Sequence, residues 1–197
     1  MARHQQQARV TARKPALIAV DGVTAPAIAA GARAVLPSTG RTQRSGISQW
    51  DASGVFEELA IADEAAGHPS ARTLLLLYAA DLAFRLRWEI RPALEEGNSV
   101  IAAPYIDTAV AFGRAAGLSA GWLSDLFGFA PPPTERRFVE LAGKTSVRAA
   151  AGFVEFGCHH MAGILNGLTR PQLVAHTTRY LRAAAKRRRA RTKRASR

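Results

Sequence analysis

Apolar positions along this chain alternate between short solid runs and longer stretches of helical character. Residues 16–20, "ALIAV", are too few for a helix and end at the turn pair Asp21-Gly22, which predicts a buried strand. The alanine-rich stretch after it predicts a helix to about Ala34, with Pro26 in the first turn, where a missing N–H costs nothing. "AVLP" (34–37) reads as a second short strand, and residues 37–50, with their Pro, Gly and Ser, read as a loop. Two helices follow. The first runs from near Asp51 to before Gly67 and the second from Ser70 to about Glu96. The second is apolar almost all round over "LLLLYAADLAF" and is therefore expected to be central, with a kink at Pro92 and a stop at Gly97.

"SVIAA" (99–103) is the next buried strand, and Pro104 ends it and opens the helix "YIDTAVAFGRAAG". Ser119 suits the cap of a short helix through Phe127. "RFVEL" (137–141) is a third strand candidate, and the rest reads as helical. Thr169 and Gln172 form a capping box for a last helix that runs into a basic tail. Strands separated by helices indicate an α/β fold with a parallel sheet. Ligands of such sheets lie beyond the carboxyl ends of the strands, so Asp21–Pro26 and Pro104–Thr108 are the first places to look for a site.

Charge changes this picture only after it is located. The net charge is +12, but residues 1–14 hold four Lys/Arg and residues 186–197 hold eight, with no acid in either segment. The body, residues 15–185, therefore has 15 basic and 15 acidic residues and is formally neutral. This divides the chain into a disordered basic arm (1–14), an α/β domain (15–185) and a disordered basic tail (186–197). The tail suits non-specific contact with nucleic acid, or a plain solvated extension; it lacks aromatics for base stacking. No apolar run reaches bilayer length, and the first residues lack the apolar core of a secretory signal. With a single cysteine, Cys158, the expectation is a cytoplasmic protein with no membrane partner.

From residue 74 to 118 the text "LLLLYAADLAFRLRWEIRPALEEGNSVIAAPYIDTAVAFGRAAGL" resembles the middle of thymidylate kinases. Tyr78-Ala79-Ala80-Asp81, then Ile90-Arg91-Pro92-Ala93-Leu94, then Tyr105-Ile106-Asp107-Thr108 carry the likeness, and the opening strand with Asp21-Gly22 matches the start of that family's phosphate loop. "PPPTERRFVEL" is similar to its entry into the next core strand. The resemblance implies a three-layer P-loop NTPase-like α/β fold, a parallel sheet flanked by helices. It also implies a nucleoside pocket built from Tyr78, Asp81, Arg85, Tyr105, Asp107, Thr108 and Phe112, and a homodimer through the helix at 74–91. ATP and Mg²⁺ would be required only if the family's activity is kept. The same two aromatics, Tyr78 and Phe112, also suit a plain core.

The departures fall on the chemistry. A phosphate loop needs glycines, a lysine and a hydroxyl. The degenerate loop is Asp21, Gly22 and Thr24, with Ala19 and Thr24 where glycines belong, Ala25 where the lysine belongs and Pro26 where the hydroxyl belongs. Leu82 replaces an arginine expected to meet the monophosphate, and Ala103-Pro104 replaces an Asp-Arg pair. Arg41 and Arg44 are the best remaining anion contacts. No catalytic residue is assigned. The expectation is a kinase-like binding or interaction module with impaired catalysis. The alternatives are an active, atypical nucleoside monophosphate kinase using Arg41, Arg44 or Lys144, and a nucleic-acid-associated protein acting through its tail. "GKTS" (143–146) lacks the earlier glycine of a phosphate loop, and "CHH" (158–160) lacks converging partners for a metal.

Overall fold

The computed structural model describes residues 14–36, 45–61, 67–140, 152–161 and 168–195. Four parallel strands form one sheet in the order β2-β3-β1-β4: β1 (Leu17–Gly22), β2 (Ser45–Gln49), β3 (Ser99–Ala103) and β4 (Glu135–Val139). Eight helices flank it among the described residues: α1 (Ala25–Val35), α2 (Val55–Ile61), α3 (Ala71–Arg85), α4 (Arg91–Glu95), α5 (Ile106–Ala115), α6 (Ala120–Leu126), α7 (Phe153–His160) and α8 (Arg170–Ala195).

Both central strands are covered on both sides, which is why they read as solid apolar runs rather than as alternation. Successive side chains still point to opposite faces. Ile18 and Val20 of β1 meet Ile28, Ala32 and Val35 of α1, while Leu17 and Ala19 face the larger core built with α3 and α5. The helices that follow β1 and β3 thus leave on opposite faces. That arrangement opens a crevice between the carboxyl ends of these strands, where α/β proteins hold ligands.

Four expectations are corrected by the fold. "AVLP" is not a strand, because α1 continues to Val35 and buries that side chain completely. The second strand is instead Ser45–Gln49, inside the stretch read as loop. It is an edge strand with a polar sequence, paired only to β3, so Ile47 is its sole large apolar side chain and no pattern announces it. The long central helix breaks before Pro92, not at it. One π-helical turn spans Leu86–Ile90, and Arg91 N–H donates to Leu86 O; proline at 92 offers no N–H to keep the ladder in α register. Finally, residues 186–195 of the tail are helical and continue α8.

That last difference has a local cause. Leu173, Thr177 and Leu181 lie one turn apart and are buried, which seats the first half of α8 on the body. Ala183–Ala185 and the Lys/Arg that follow are good helix formers, and cations near a C-terminus suit the helix dipole. The Arg188 guanidinium then pairs with the Asp107 carboxylate of α5, with one N–H···O distance of 2.7 Å, and pins the helix beyond its last buried apolar residue.

Candidate functional site

The two segments singled out after β1 and β3 do converge. Asp21 is the next-to-last residue of β1 and is 1 % exposed. Its Oδ1 accepts from Tyr105 N–H at 3.1 Å, Thr108 N–H at 3.0 Å and Thr108 Oγ1 at 2.9 Å. The carboxylate thereby caps the N-terminus of α5 from another strand, and the crevice between β1 and β3 closes over it. Its Oδ2 is buried with no hydrogen-bond partner. Burial, reinforced by the nearby Asp107 charge, pushes the Asp21 carboxyl up to about 7 against the opposing effect of the Thr108 and Tyr105 hydrogen bonds.

Between β1 and α1 stand only Val23 and Thr24, so the connection lacks the length of a loop that wraps phosphates. The N–H groups of the first turn of α1 are all accounted for. Ala25 N–H donates to Glu155 Oε2 at 3.1 Å, Pro26 has none, Ala27 N–H donates to Thr24 Oγ1 at 3.4 Å, and Ile28 N–H donates to Thr24 O at 3.1 Å. Glu155 Oε2 also accepts from Gly152 N–H at 2.9 Å. A side-chain carboxylate of α7 therefore occupies the anion-attracting end of α1. The approach is close: a Cβ on Gly152 would stand 3.1 Å from Ala25 N.

The residues expected to form a nucleoside pocket are brought near one another, but into the core. Tyr78 and Phe112 are completely buried, and Phe153 of α7 packs against both, with ring centroids 4.5 Å and 5.1 Å away. The Tyr78 hydroxyl donates to Tyr105 O, and burial pushes its ionisation far up. Tyr105 is likewise raised by burial, to about 12. Neither phenol presents an open ring face. Asp81 accepts from Asp51 N–H, Ser53 N–H and Ser53 Oγ, at 3.2, 3.0 and 2.9 Å, and so ties the turn after β2 to α3. Burial raises the Asp81 carboxyl. Arg85, also fully buried, donates through Nε to Ser48 Oγ at 2.9 Å and through its two outer nitrogens to Ser48 O and Pro104 O. Both charged side chains clamp strand ends together. Asp107 faces Arg136 at 3.2 Å as well as Arg188.

An open concavity does exist at the carboxyl edge, but elsewhere. A cleft of about 650 Å³ lies between α1 and the ends of β2 and β3, lined by Pro26, Ala29, Arg33, Gln49, Trp50 and Pro104 among others. Sequence reasoning missed Trp50 because β2 was read as loop. It missed Glu155 because a contact spanning 130 positions leaves no local pattern. Arg41, Arg44 and the "GKTS" segment lie outside the described residues. Cys158 is buried, which pushes its thiol up to about 11, and His160 stacks on Phe156 at 4.2 Å. Among the described residues no group of three His, Cys, Asp or Glu side chains could hold a metal ion. No helix among them is long and apolar enough to cross a membrane.

The fold is a four-stranded parallel sheet in this order, with an Asp-Gly at the end of β1 and a helix on each side of the β1/β3 crevice. A solved thymidylate kinase from Ehrlichia chaffeensis shares it, with a TM-score of 0.57 at 14 % identity over 65 % of this chain and 72 % of that one. Among curated sequences, a probable thymidylate kinase of Pyrococcus abyssi is 41 % identical over 73 residues, and one of Pyrococcus horikoshii is 40 % identical over 73. The chain is thymidylate kinase-like. The aligned stretch spans 37 % of this chain and 36 % of the curated relatives' length. No protein-family model matches the chain. The thymidylate kinase-like frame is thus present, and the departures lie in what occupies its carboxyl edge.

Proposed function

We propose that this protein is a thymidylate kinase-like binding module that does not transfer phosphoryl groups. The observation that carries this reading is the Glu155 carboxylate on the N-terminus of α1. Phosphoryl transfer works by positioning phosphate and neutralising its charge. The residues present do not fit a nucleoside triphosphate with magnesium. Ala25 and Pro26 supply neither ammonium nor hydroxyl, the two-residue connection cannot wrap a phosphate, and an anion approaching α1 would meet Glu155. Ligand binding without transfer is assigned to the cleft beside α1. Its volume of about 650 Å³ lies in the range of small-molecule sites, and Trp50 and Arg33 in its lining suit a flat ring bearing at most one negative charge.

The test is a melting-temperature series with thymidine, thymidylate and ATP, with and without magnesium, beside a coupled assay of thymidylate phosphorylation. A ligand bound only by the native state must stabilise it. Thymidine should raise Tm independently of magnesium, thymidylate with its nearly doubly charged phosphate should raise it less, and ATP with magnesium should not. Phosphorylation at ordinary turnover would overturn the proposal.

The same protein is proposed to form a homodimer through α3. Leu76, Phe84 and Trp88 are 50 %, 39 % and 62 % exposed, and their spacing of four or eight positions puts them on one stripe of α3 and the π turn after it. Light scattering on the wild type and on Trp88→Glu checks this, and a monomeric wild type would refute it.

A further inference from the structure

The end of α8 serves neither the fold's core nor the proposed ligand site. From residue 186 to 195 the helix carries seven Lys/Arg and no acid; besides Arg188 and Lys193 these are Lys186, Arg187, Arg189, Arg191 and Arg194, all exposed. At 100° per residue these five cations fall within an arc of roughly 200°, whereas Arg188 lies on the opposite side. Arg188 is the one that turns to the body, where Asp107 holds it. The pairing therefore fixes the rotation of the helix and directs the other cations outward over about 15 Å of axis.

We propose that this cationic helix end binds the phosphate backbone of duplex DNA. Three features favour that partner over other polyanions. The body is formally neutral, so the positive field is concentrated at the chain's ends, the tail among them, rather than spread over the fold. A single α-helix about 10–12 Å across matches the roughly 12 Å width of the B-DNA major groove, whereas the deep, narrow groove of A-form RNA does not admit one. Residues 186–195 contain no aromatic for stacking on single-stranded bases and no large apolar residue for entering a lipid interface. The proposed contact is to phosphate, which carries no base-sequence information.

Counter-ion release gives the measurable consequence: log K falls against log salt with a slope of about −0.9 per phosphate neutralised. The experiment uses the full chain and a random 20-base-pair duplex, followed by fluorescence anisotropy from 50 to 200 mM NaCl. The variant replaces the five cations together by glutamine, which keeps helix propensity; circular dichroism and Tm check its fold. The expected result is micromolar binding at 50 mM salt and a wild-type slope steeper than the variant's by roughly 4 to 5. Arg191→Gln and Arg194→Gln alone each flatten it by about 0.9, which keeps the test intact if the fivefold variant misfolds. The proposal is overturned if the wild type fails to bind duplex at 50 mM salt. It is equally overturned if the variants leave the slope unchanged, or if phosphatidylserine vesicles bind through these five side chains while duplex does not.

Discussion

Replacing Glu155 by alanine is the most direct perturbation of the carboxyl edge. Its Oε2 accepts two backbone N–H groups, from Ala25 at 3.1 Å and Gly152 at 2.9 Å, so one side chain caps the starts of both α1 and α7. Hydrogen bonds to a charged acceptor contribute about 1.5–3 kcal/mol each, and removing a single N-cap costs about 0.5–2 kcal/mol. Both bonds are only partly buried, and water replaces some of what is lost. The expected cost of Glu155→Ala is therefore about 2–3 kcal/mol, read by urea denaturation. Glu155→Gln keeps an amide oxygen at the same place but loses the charge, and should cost about 1 kcal/mol. Tm should fall by roughly 2–4 °C per kcal/mol in a domain of this size. The ordering Ala worse than Gln worse than wild type is the signature of a carboxylate held by two donors. An alanine variant within about 0.5 kcal/mol of wild type, the usual scatter of surface substitutions, would refute the internal cap.

Three further outcomes follow from the core around this edge. Gly157→Ala should destabilise by about 1–3 kcal/mol in spite of its helix-favouring gain, because the new Cβ would stand 2.6 Å from Phe112 Cζ; a stabilised variant by calorimetry would contradict that contact. Arg85→Lys should cost about 3–5 kcal/mol, since an ammonium cannot reach Ser48 and Pro104 together as the planar guanidinium does, and a near-neutral change would remove its role as a clamp. Asp21 should impose a pH dependence. Its folded carboxyl titrates near 7 against about 3.9 in an unfolded chain, so the native state holds the extra proton between those values. Stability contributed by Asp21 is therefore greatest below about pH 4 and falls as pH rises to about 7. Asp21→Asn, which keeps an acceptor for Tyr105 and Thr108, should lose this slope, and a wild type whose stability difference between pH 5 and pH 8, from urea titrations, equals the variant's would refute the assignment.

Legibility in the sequence tracked how local each cause is. β1 and β3 were readable because burial on both faces writes an unbroken apolar run, and Ser119 was readable as a cap because its Oγ accepts from Trp122 N–H three residues on. β2 was not, because an edge strand needs only one buried side and here shows one large apolar residue. The missing lysine and hydroxyl of the phosphate loop were plain from Ala25 and Pro26. What replaced them was not, because Glu155 and Phe153 arrive from a helix far along the chain. The tail's composition was legible and its conformation was not, since the Asp107–Arg188 pair that pins it spans 81 positions.

The losses and the replacements at the carboxyl edge are two sides of one electrostatic balance. A helix N-terminus that points into a crevice carries about half a positive charge and unsatisfied N–H groups, which must be met by ligand, water or protein. In a phosphate-binding site the ligand meets them, and lysine and arginine side chains share the remaining anionic charge. A lysine kept beside α1 here would have Glu155 as partner and no room for phosphate. Once Glu155 satisfies α1 and Asp21 satisfies α5, each dipole end holds one carboxylate, and further cations would be surplus. Three cations near the edge are paired inside the protein: Arg85 with strand-end carbonyls, Arg136 and Arg188 with Asp107. For the proposed binding module, a lysine placed at position 25 alone should not confer transfer: Glu155 would remain on the N–H groups that a phosphate needs.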